Sequence, residues 1–371
     1  MTKKAPAINP KRLRQLFRKM VNIYSPPGKE EDLVDFLYNY MKRHGLPVVR
    51  QAVTENRHNL IVEPDDIEAN LVFVGHLDTV EASDLTMFEF RQEDDEIFGL
   101  GTADMKGGCA AMVEAFLTLW ENGHRNLPAT LALVVGEEET GDGAQRLVRE
   151  YDFTTAIVGE PTDLAPCLSH YGYLEVQLVT KGRRMHASLA PQAANAVTTM
   201  LHLLLEFLQF LDKRFTDAVY NVRDLTSARS GFAVPDYCEA WIDLHLPALS
   251  DMGLLTYELE ELHQAFCKAH PESDSAIHFT TIHSGYELPR KGPMMEVMQK
   301  VYQRHGLPMA PGPFPSHSDA NILWAAGIKP ILLGPGKLEK AHTAEESTSF
   351  AQVVQAARLY VDLALEAEEK V

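Results

Sequence analysis

Residues 71–80 read LVFVGHLDTV. The first four are apolar with no polar alternation, the pattern of a strand buried on both faces, as in a parallel sheet covered by helices. The chain then turns polar at His76 and Asp78, two residues apart and so on the same side of an extended backbone. Similar short apolar runs recur at NLIVEP (59–64), ATLALVVG (129–136), TTAIVGEP (154–161) and PILLGPG (330–336). Helical periodicity falls between them: residues 8–22, residues 29–45, GGCAAMVEAFLTLWENG closed by Gly123, and GAQRLVREY (143–151). Strands alternating with helices predict an α/β domain with a mixed, largely parallel sheet.

Near residue 170 the pattern changes. YGYLEVQLVTKG (171–182) alternates like a half-exposed strand. A long helix at about 193–214 follows, then strands at about 220–230 and 235–246, a helix at about 253–269 and a strand at 276–283. That order, βαββαβ, predicts a ferredoxin-like α+β domain. Helix–strand alternation resumes after GYELPRKGP (285–293). The expectation is therefore one domain made of residues 1–168 and 285–371, interrupted by an inserted domain of residues 169–284.

Ligands of open α/β sheets bind at the carboxyl ends of the strands, and there this chain concentrates acids and imidazoles. His76 and Asp78 end one apolar run. GTADMKGG places Asp104 just before a helix, where it could equally be an N-cap. VVGEEETG (134–141) sets Glu137, Glu138 and Glu139 in a row straight after an apolar strand. Adjacent ionised carboxylates raise each other's pKa unless a cation compensates. GEPTD supplies Glu160 and KAHTAEES supplies His342. Two histidines with three carboxylates suit Zn²⁺, Mn²⁺ or Co²⁺. Five ligands exceed the need of one tetrahedral zinc, so the count points to two ions sharing one carboxylate.

The segments GHLDTV, GTADMKGG, GEEETG, GEPTD and AHTAEES, in this order, resemble the M20 metallopeptidases, the group of acetylornithine deacetylase, succinyl-diaminopimelate desuccinylase and bacterial glutamate carboxypeptidase. The resemblance implies a zinc-exopeptidase-like catalytic domain with an inserted dimerisation domain, and two divalent ions, zinc first, with cobalt or manganese as alternatives. It implies His76, Asp104 and Glu160 on one metal, and Asp104 and His342 on the other. Asp78 orients His76, and a cis peptide is expected between Asp104 and Met105. Aligning the family's Glu-Glu-x-Gly on Gly141 makes Glu139 a metal ligand, Glu138 the general base and Glu137 an outer acid; aligning on the first two glutamates makes Glu137 the base. His186, in KGRRMHASLAP, takes the family's oxyanion-stabilising role across a dimer interface. Asn195 also matches the family pattern. His245 stands where the family usually carries an arginine that grips a substrate carboxylate. Arg229, Arg183 or Arg184 are alternatives for that grip. His317 intrudes beside the matching Asp319.

The implied activity is metal-dependent hydrolysis of an N-acyl amino acid or small peptide, deacetylase- or desuccinylase-like, with a carboxypeptidase or dipeptidase, or a non-catalytic metal-binding scaffold, as alternatives. A net charge of −18 argues against a nucleic-acid partner. Four scattered cysteines without a CxxC pair, and no apolar run near ~20 residues, fit a cytoplasmic protein without a membrane partner. The first twenty residues are basic and acid-free, but Leu13, Phe17, Met20 and Val21 recur at helical spacing and read as a first amphipathic helix. A homodimer is expected.

Overall fold

A computed structural model describes residues 6–63, 70–82, 88–124, 129–192, 194–215, 217–229 and 231–367. The chain forms two compact units. The first comprises Met1–Ser169, Leu288–Phe314 and Ser318–Val371; the second is His170–Glu287 with Pro315–His317.

In the first unit, helices α1 (Pro10–Val21) and α2 (Glu31–Arg43) precede strands β1 (Val48–Ala52), β2 (His58–Val62) and β3 (Leu71–His76). Short strands β4 (Arg91–Glu93) and β5 (Glu96–Phe98) lead to α3 (Lys106–Glu121), β6 (Ala129–Val134), α4 (Asp142–Glu150), β7 (Thr155–Val158) and β8 (Cys167–His170). The central four strands lie in the order β6-β3-β7-β15 and are all parallel, where β15 is a later strand, Lys329–Leu332. Antiparallel β1 and β2 extend one side and β8 the other. Every residue of β3, β6 and β7 is buried, which is why these strands read as unbroken apolar runs.

Helix α3 carries the core. Its residues Lys106–Leu119 are all buried. A buried carboxylate, Glu114, sits among them and is answered by α1: Arg12 Nε donates to Glu114 Oε2 at 2.7 Å, Arg12 Nη2 to Oε1 at 3.0 Å, and the Asn9 amide to Oε1 at 2.7 Å. A buried charge is tolerable only when paired and hydrogen-bonded in this way.

The second unit holds β9 (Gly172–Lys181), α5 (Ala196–Arg214), β10 (Val219–Ser227), β11 (Tyr237–Leu246), α6 (Met252–Ala269), β12 (Asp274–His283) and the two-residue β13 (Tyr286–Glu287). Its sheet has the order β10-β11-β9-β12, antiparallel throughout, the split-βαβ arrangement. Leu174, Val176 and Leu178 of β9 pack with α5 and α6 residues such as Leu203, Phe207, Leu259 and Phe266. The alternate residues, Tyr173 and Glu175 among them, face the other way and are half-buried.

The first unit closes with α7 (Pro293–His305), β14 (Gly312–Phe314), α8 (Asp319–Ala325), β15, β16 (Ser347–Ser349) and α9 (Phe350–Ala367). Among the described residues no helix is long and apolar enough to cross a membrane.

His170 opens the second unit, fully buried, with Nδ1 on the Tyr171 carbonyl at 2.8 Å and its ring stacked on Tyr286. Burial, with the nearby His245 and His283 rings adding to it, lowers its pKa to about 4. The unfolded chain therefore takes up a proton between about pH 6.5 and pH 4 that the folded chain refuses, so stability falls as pH falls through that window, by on the order of 3 kcal/mol from this group. Urea melts at pH 7 and pH 4 should show this slope, and His170→Gln should flatten it; an unchanged slope in the variant would show that His170 does not carry it.

Candidate active site and metal centre

The parallel strands end together. In register, His76 lies beside Val134 of β6, and Val74 beside Val158 of β7. The polar segments that follow these strands therefore emerge at one edge. Gly159 follows β7 directly, and a Cβ on Gly108 of α3 would come within 2.2 Å of the Gly159 carbonyl oxygen. Glycine at 108 thus lets the helix approach the strand end that delivers Glu160.

His76 is held in one tautomer. Its Nδ1 lies 3.0 Å from the Asp78 carbonyl oxygen, an acceptor only, so Nδ1 carries a proton and Nε2 is the atom turned toward the carboxylates. Nε2 faces Asp104 Oδ1 at 3.0 Å, Glu137 Oε2 at 3.9 Å and Glu160 Oε1 at 4.0 Å. Asp78 thus orients His76 through its backbone. Its carboxylate, 3.9 Å from Nδ1, does something else: Oδ1 accepts from the Gly136 amide at 2.8 Å and Oδ2 from the Glu138 amide at 2.9 Å. It clamps the glutamate turn to the end of β3.

That turn separates the three glutamates. The amides of Thr140 and Gly141 both return to the Gly136 carbonyl, at 3.1 and 2.7 Å, and Gly136 and Gly141 have positive φ (79° and 63°). Residues 137–140 therefore form one coiled turn, on which neighbours rotate by roughly 100°. Three consecutive acids cannot share a direction. Glu137 is buried, and the Glu138 side chain is 6% exposed and reaches His342, Oε2 to Nε2 3.1 Å. Glu139 is exposed and belongs to none of the donor groups found. This departs from the expectation set by Gly141: Glu139 lies outside the cluster, and Glu138, expected as the base, faces His342 within the Asp104/Glu138/His342 group. The turn is registered by Asp78 at its start, a contact invisible in the local motif.

Asp104 lies at the centre. Its Oδ1 faces His76 and its Oδ2 faces His342 Nε2 at 3.4 Å, and its bond to Met105 is cis. His342 is half-exposed and takes a left-handed backbone, φ 59°. Two groups of three potential donors result, His76/Asp104/Glu160 and Asp104/Glu138/His342, each with its atoms within 4.8 Å; a third is His76/Glu137/Glu138. The donors fit divalent cations. Glu160 Oε1 is buried with no hydrogen-bond partner, an orphan that an ion would satisfy. Burial, then the crowding of neighbouring acids, pushes Glu137 and Glu160 well above the usual carboxylate range. Positive charge among them restores the ionised form.

One contributor escaped the sequence reading. Glu346, buried, accepts from the amides of Gly101 (Oε2, 2.9 Å), Ala103 (Oε1, 2.8 Å) and Asp104 (Oε1, 3.0 Å). It fixes the loop that presents Asp104. Its partners lie 242–245 residues away in sequence, so no local signal marks it.

Asp319 is the buried first residue of α8, and burial pushes its carboxyl up to about 7. In the second unit His186 is exposed, with Nδ1 2.7 Å from Ser188 Oγ. Asn195 caps α5, its side chain accepting from the Thr198 amide at 3.2 Å, which is a structural job. Arg229 is exposed, and Arg184 faces Asp236 at 3.6 Å. His245 packs on Tyr173, and His317 pairs with His283.

The chain is similar to an acetylornithine deacetylase of Edwardsiella ictaluri, 27% identical over 356 residues covering 90% of each chain. A probable succinyl-diaminopimelate desuccinylase of Staphylococcus epidermidis is 30% identical over 204 residues, 53% of this chain and 50% of that relative. The fold matches that of human carnosine dipeptidase 1 with a TM-score of 0.79 at 12% identity, over 97% of this chain and 96% of the other. The family model for peptidase family M20/M25/M40 matches residues 72–366, the span that contains every donor described above. A metal-dependent hydrolase of the M20/M25/M40 peptidase family is what this chain is.

Proposed function

We propose that the protein is a two-metal amide hydrolase acting on N-acyl amino acids, of the deacetylase and desuccinylase kind. The observation that carries this reading is the Asp104 carboxylate, with one oxygen toward His76 and the other toward His342. On it, His76, Asp104 and Glu160 hold one ion and Asp104, Glu138 and His342 the other, and we assign both as zinc. Divalent cations held there supply Lewis acidity toward a carbonyl and make water a nucleophile near neutral pH.

Glu137 is the general base in this reading. It is buried, sits 3.9 Å from His76 Nε2 and belongs to neither of the two groups that share Asp104. A buried carboxylate kept ionised by neighbouring cations is suited to take a proton from water and return it to the departing amine. Asp78 and Glu346 position the two loops. The substrate class follows the names of the relatives, acetylornithine deacetylase and succinyl-diaminopimelate desuccinylase. His186 as an oxyanion donor across a homodimer, and a cytoplasmic location, complete the proposal.

Glu137→Gln is expected to lower kcat by about 10²- to 10⁴-fold with two bound metals retained. Glu138→Ala loses one ion, and Glu139→Ala keeps both ions and near-normal activity. Elemental analysis with a panel of N-acetyl and N-succinyl amino acids and dipeptides checks this; metal loss in Glu139→Ala alone would reinstate the register set by Gly141. Full loading with two ions and no turnover on any member of the panel would favour a scaffold.

Glu346→Gln exchanges an acceptor-only carboxylate for an amide before three backbone donors. Metal affinity is expected to fall by about 10- to 100-fold, the usual cost of disturbing a ligand's support. Zinc titration of the variant, with melting to show that it folds, reads this directly; an unchanged affinity would mean that the Asp104 loop holds itself.

A further inference from the structure

The second unit contains a group of side chains that the hydrolytic reading does not use. His245, Tyr173 and His283 lie side by side on the adjacent strands β11, β9 and β12, since Tyr173 is the registered neighbour of both histidines. Neighbours in register share a face. Tyr173 alternates with Leu174, whose side chain joins α5 and α6, so this row occupies the face without helices. His317, part of the same unit, covers the row: its ring lies 4.7 Å from Tyr173 and 5.0 Å from His283, nearly parallel to the latter at 16°. His170 is close enough to lower His317 and to be lowered in turn by His245 and His283.

His317 Nε2 and His283 Nδ1 are 3.0 Å apart, each ring aiming a nitrogen at the other. One shared proton can hold such a pair, and so can one metal ion: two nitrogens bound to zinc at ~2.0–2.1 Å with a tetrahedral angle stand about 3.3 Å apart. Two further observations favour the ion. His245 Nδ1 is buried with no hydrogen-bond partner, an exception that an ion or its water resolves. The same face is also anionic. Asp243, two residues before His245, accepts from Tyr173 Oη at 3.0 Å, and Asp243, Glu175 and Asp224 all converge on the one guanidinium of Arg223, at 3.0, 2.9 and 3.2 Å. Three carboxylates against one cation leave residual negative charge beside the rings.

We propose that His283 Nδ1 and His317 Nε2 chelate a first-row transition-metal ion of the Zn²⁺, Ni²⁺, Cu²⁺ class in the second unit, a site separate from the donors around Asp104. The pair supplies two ligands and water the rest, with His245 Nδ1 hydrogen-bonding that water. Burial, then repulsion from the His283, His170 and His245 rings, holds His317 well below the ordinary histidine range, and burial lowers His245 and His283, so the rings favour the neutral form that binds metals.

The test uses the full chain in two backgrounds, the parent and Asp104→Asn, which disables both groups that share Asp104. Equilibrium dialysis against Zn²⁺ at pH 7.5 with elemental analysis should find one more ion in each background than in its His283→Gln or His317→Gln derivative, with affinity lowered at least about tenfold in the derivatives. Equal stoichiometry with and without the histidines, or an extra ion that persists in both, overturns the site. Should either substitution unfold the chain, the Cu²⁺ electron paramagnetic resonance spectrum of Asp104→Asn decides instead: hyperfine splitting from two nitrogens supports the pair, and oxygen-only ligation rejects it. Because the histidine derivatives are compared with their own background, with and without Asp104, failure of this site is distinguishable from failure of the hydrolytic reading.

Discussion

Everything at the active edge depends on one electrostatic constraint: buried carboxylates converge on His76 and cannot all remain charged without cations among them. Glu137, Glu138 and Glu160 reach one small volume because β3, β6 and β7 are parallel and in register, and Asp104 joins them from the loop before α3. Parallel strands end on the same side, so whatever follows them meets there. The fold thereby assembles a charge density that no single segment could hold. The unpartnered oxygen of Glu160 shows how incomplete the arrangement is as protein alone.

Holding such a site still takes side chains that never touch a substrate. Asp78 uses its carbonyl on the His76 ring and its carboxylate on the backbone of the glutamate turn, so one residue sets both a tautomer and a register. Glu346 does for the Asp104 loop what Asp78 does for the turn. Backbone amides are good partners for this purpose because they are fixed in space and carry no side-chain freedom to lose. Arg12 and Glu114 secure the packing behind them, tying α1 to the buried helix α3.

The second unit is built on a different rule. Its sheet is covered by helices on one face only, and the other face collects tyrosine, histidine and paired acids along neighbouring strands. A half-covered antiparallel sheet leaves such a face free to carry polar chemistry. Here it carries imidazoles kept neutral by burial, beside carboxylates that outnumber their cation.

Read alone, the sequence determined the alternation of strands and helices, the change of pattern near residue 170 and which segments end in acids or imidazoles. Those features are local: burial on both faces writes an apolar run, and a half-buried strand writes alternation. His76 and Glu160 stand at the ends of such apolar segments, Asp104 just before a helix and His342 in the polar stretch beyond PILLGPG, so the sequence marks them as candidates. The direction of each glutamate in GEEETG was not legible. It depends on a turn seated by Asp78 from another strand, and residues a roughly 100° step apart exchange roles when that seat moves by one. Glu346, the cap made by Asn195 and the His283–His317 pair were equally hidden, since their meaning lies in partners that only the folded chain brings near, or in a helix start whose exact place the motif did not mark. Sequence decided which chemistry was available. Tertiary structure decided which atoms face one another, because long-range contacts set the turns that aim them.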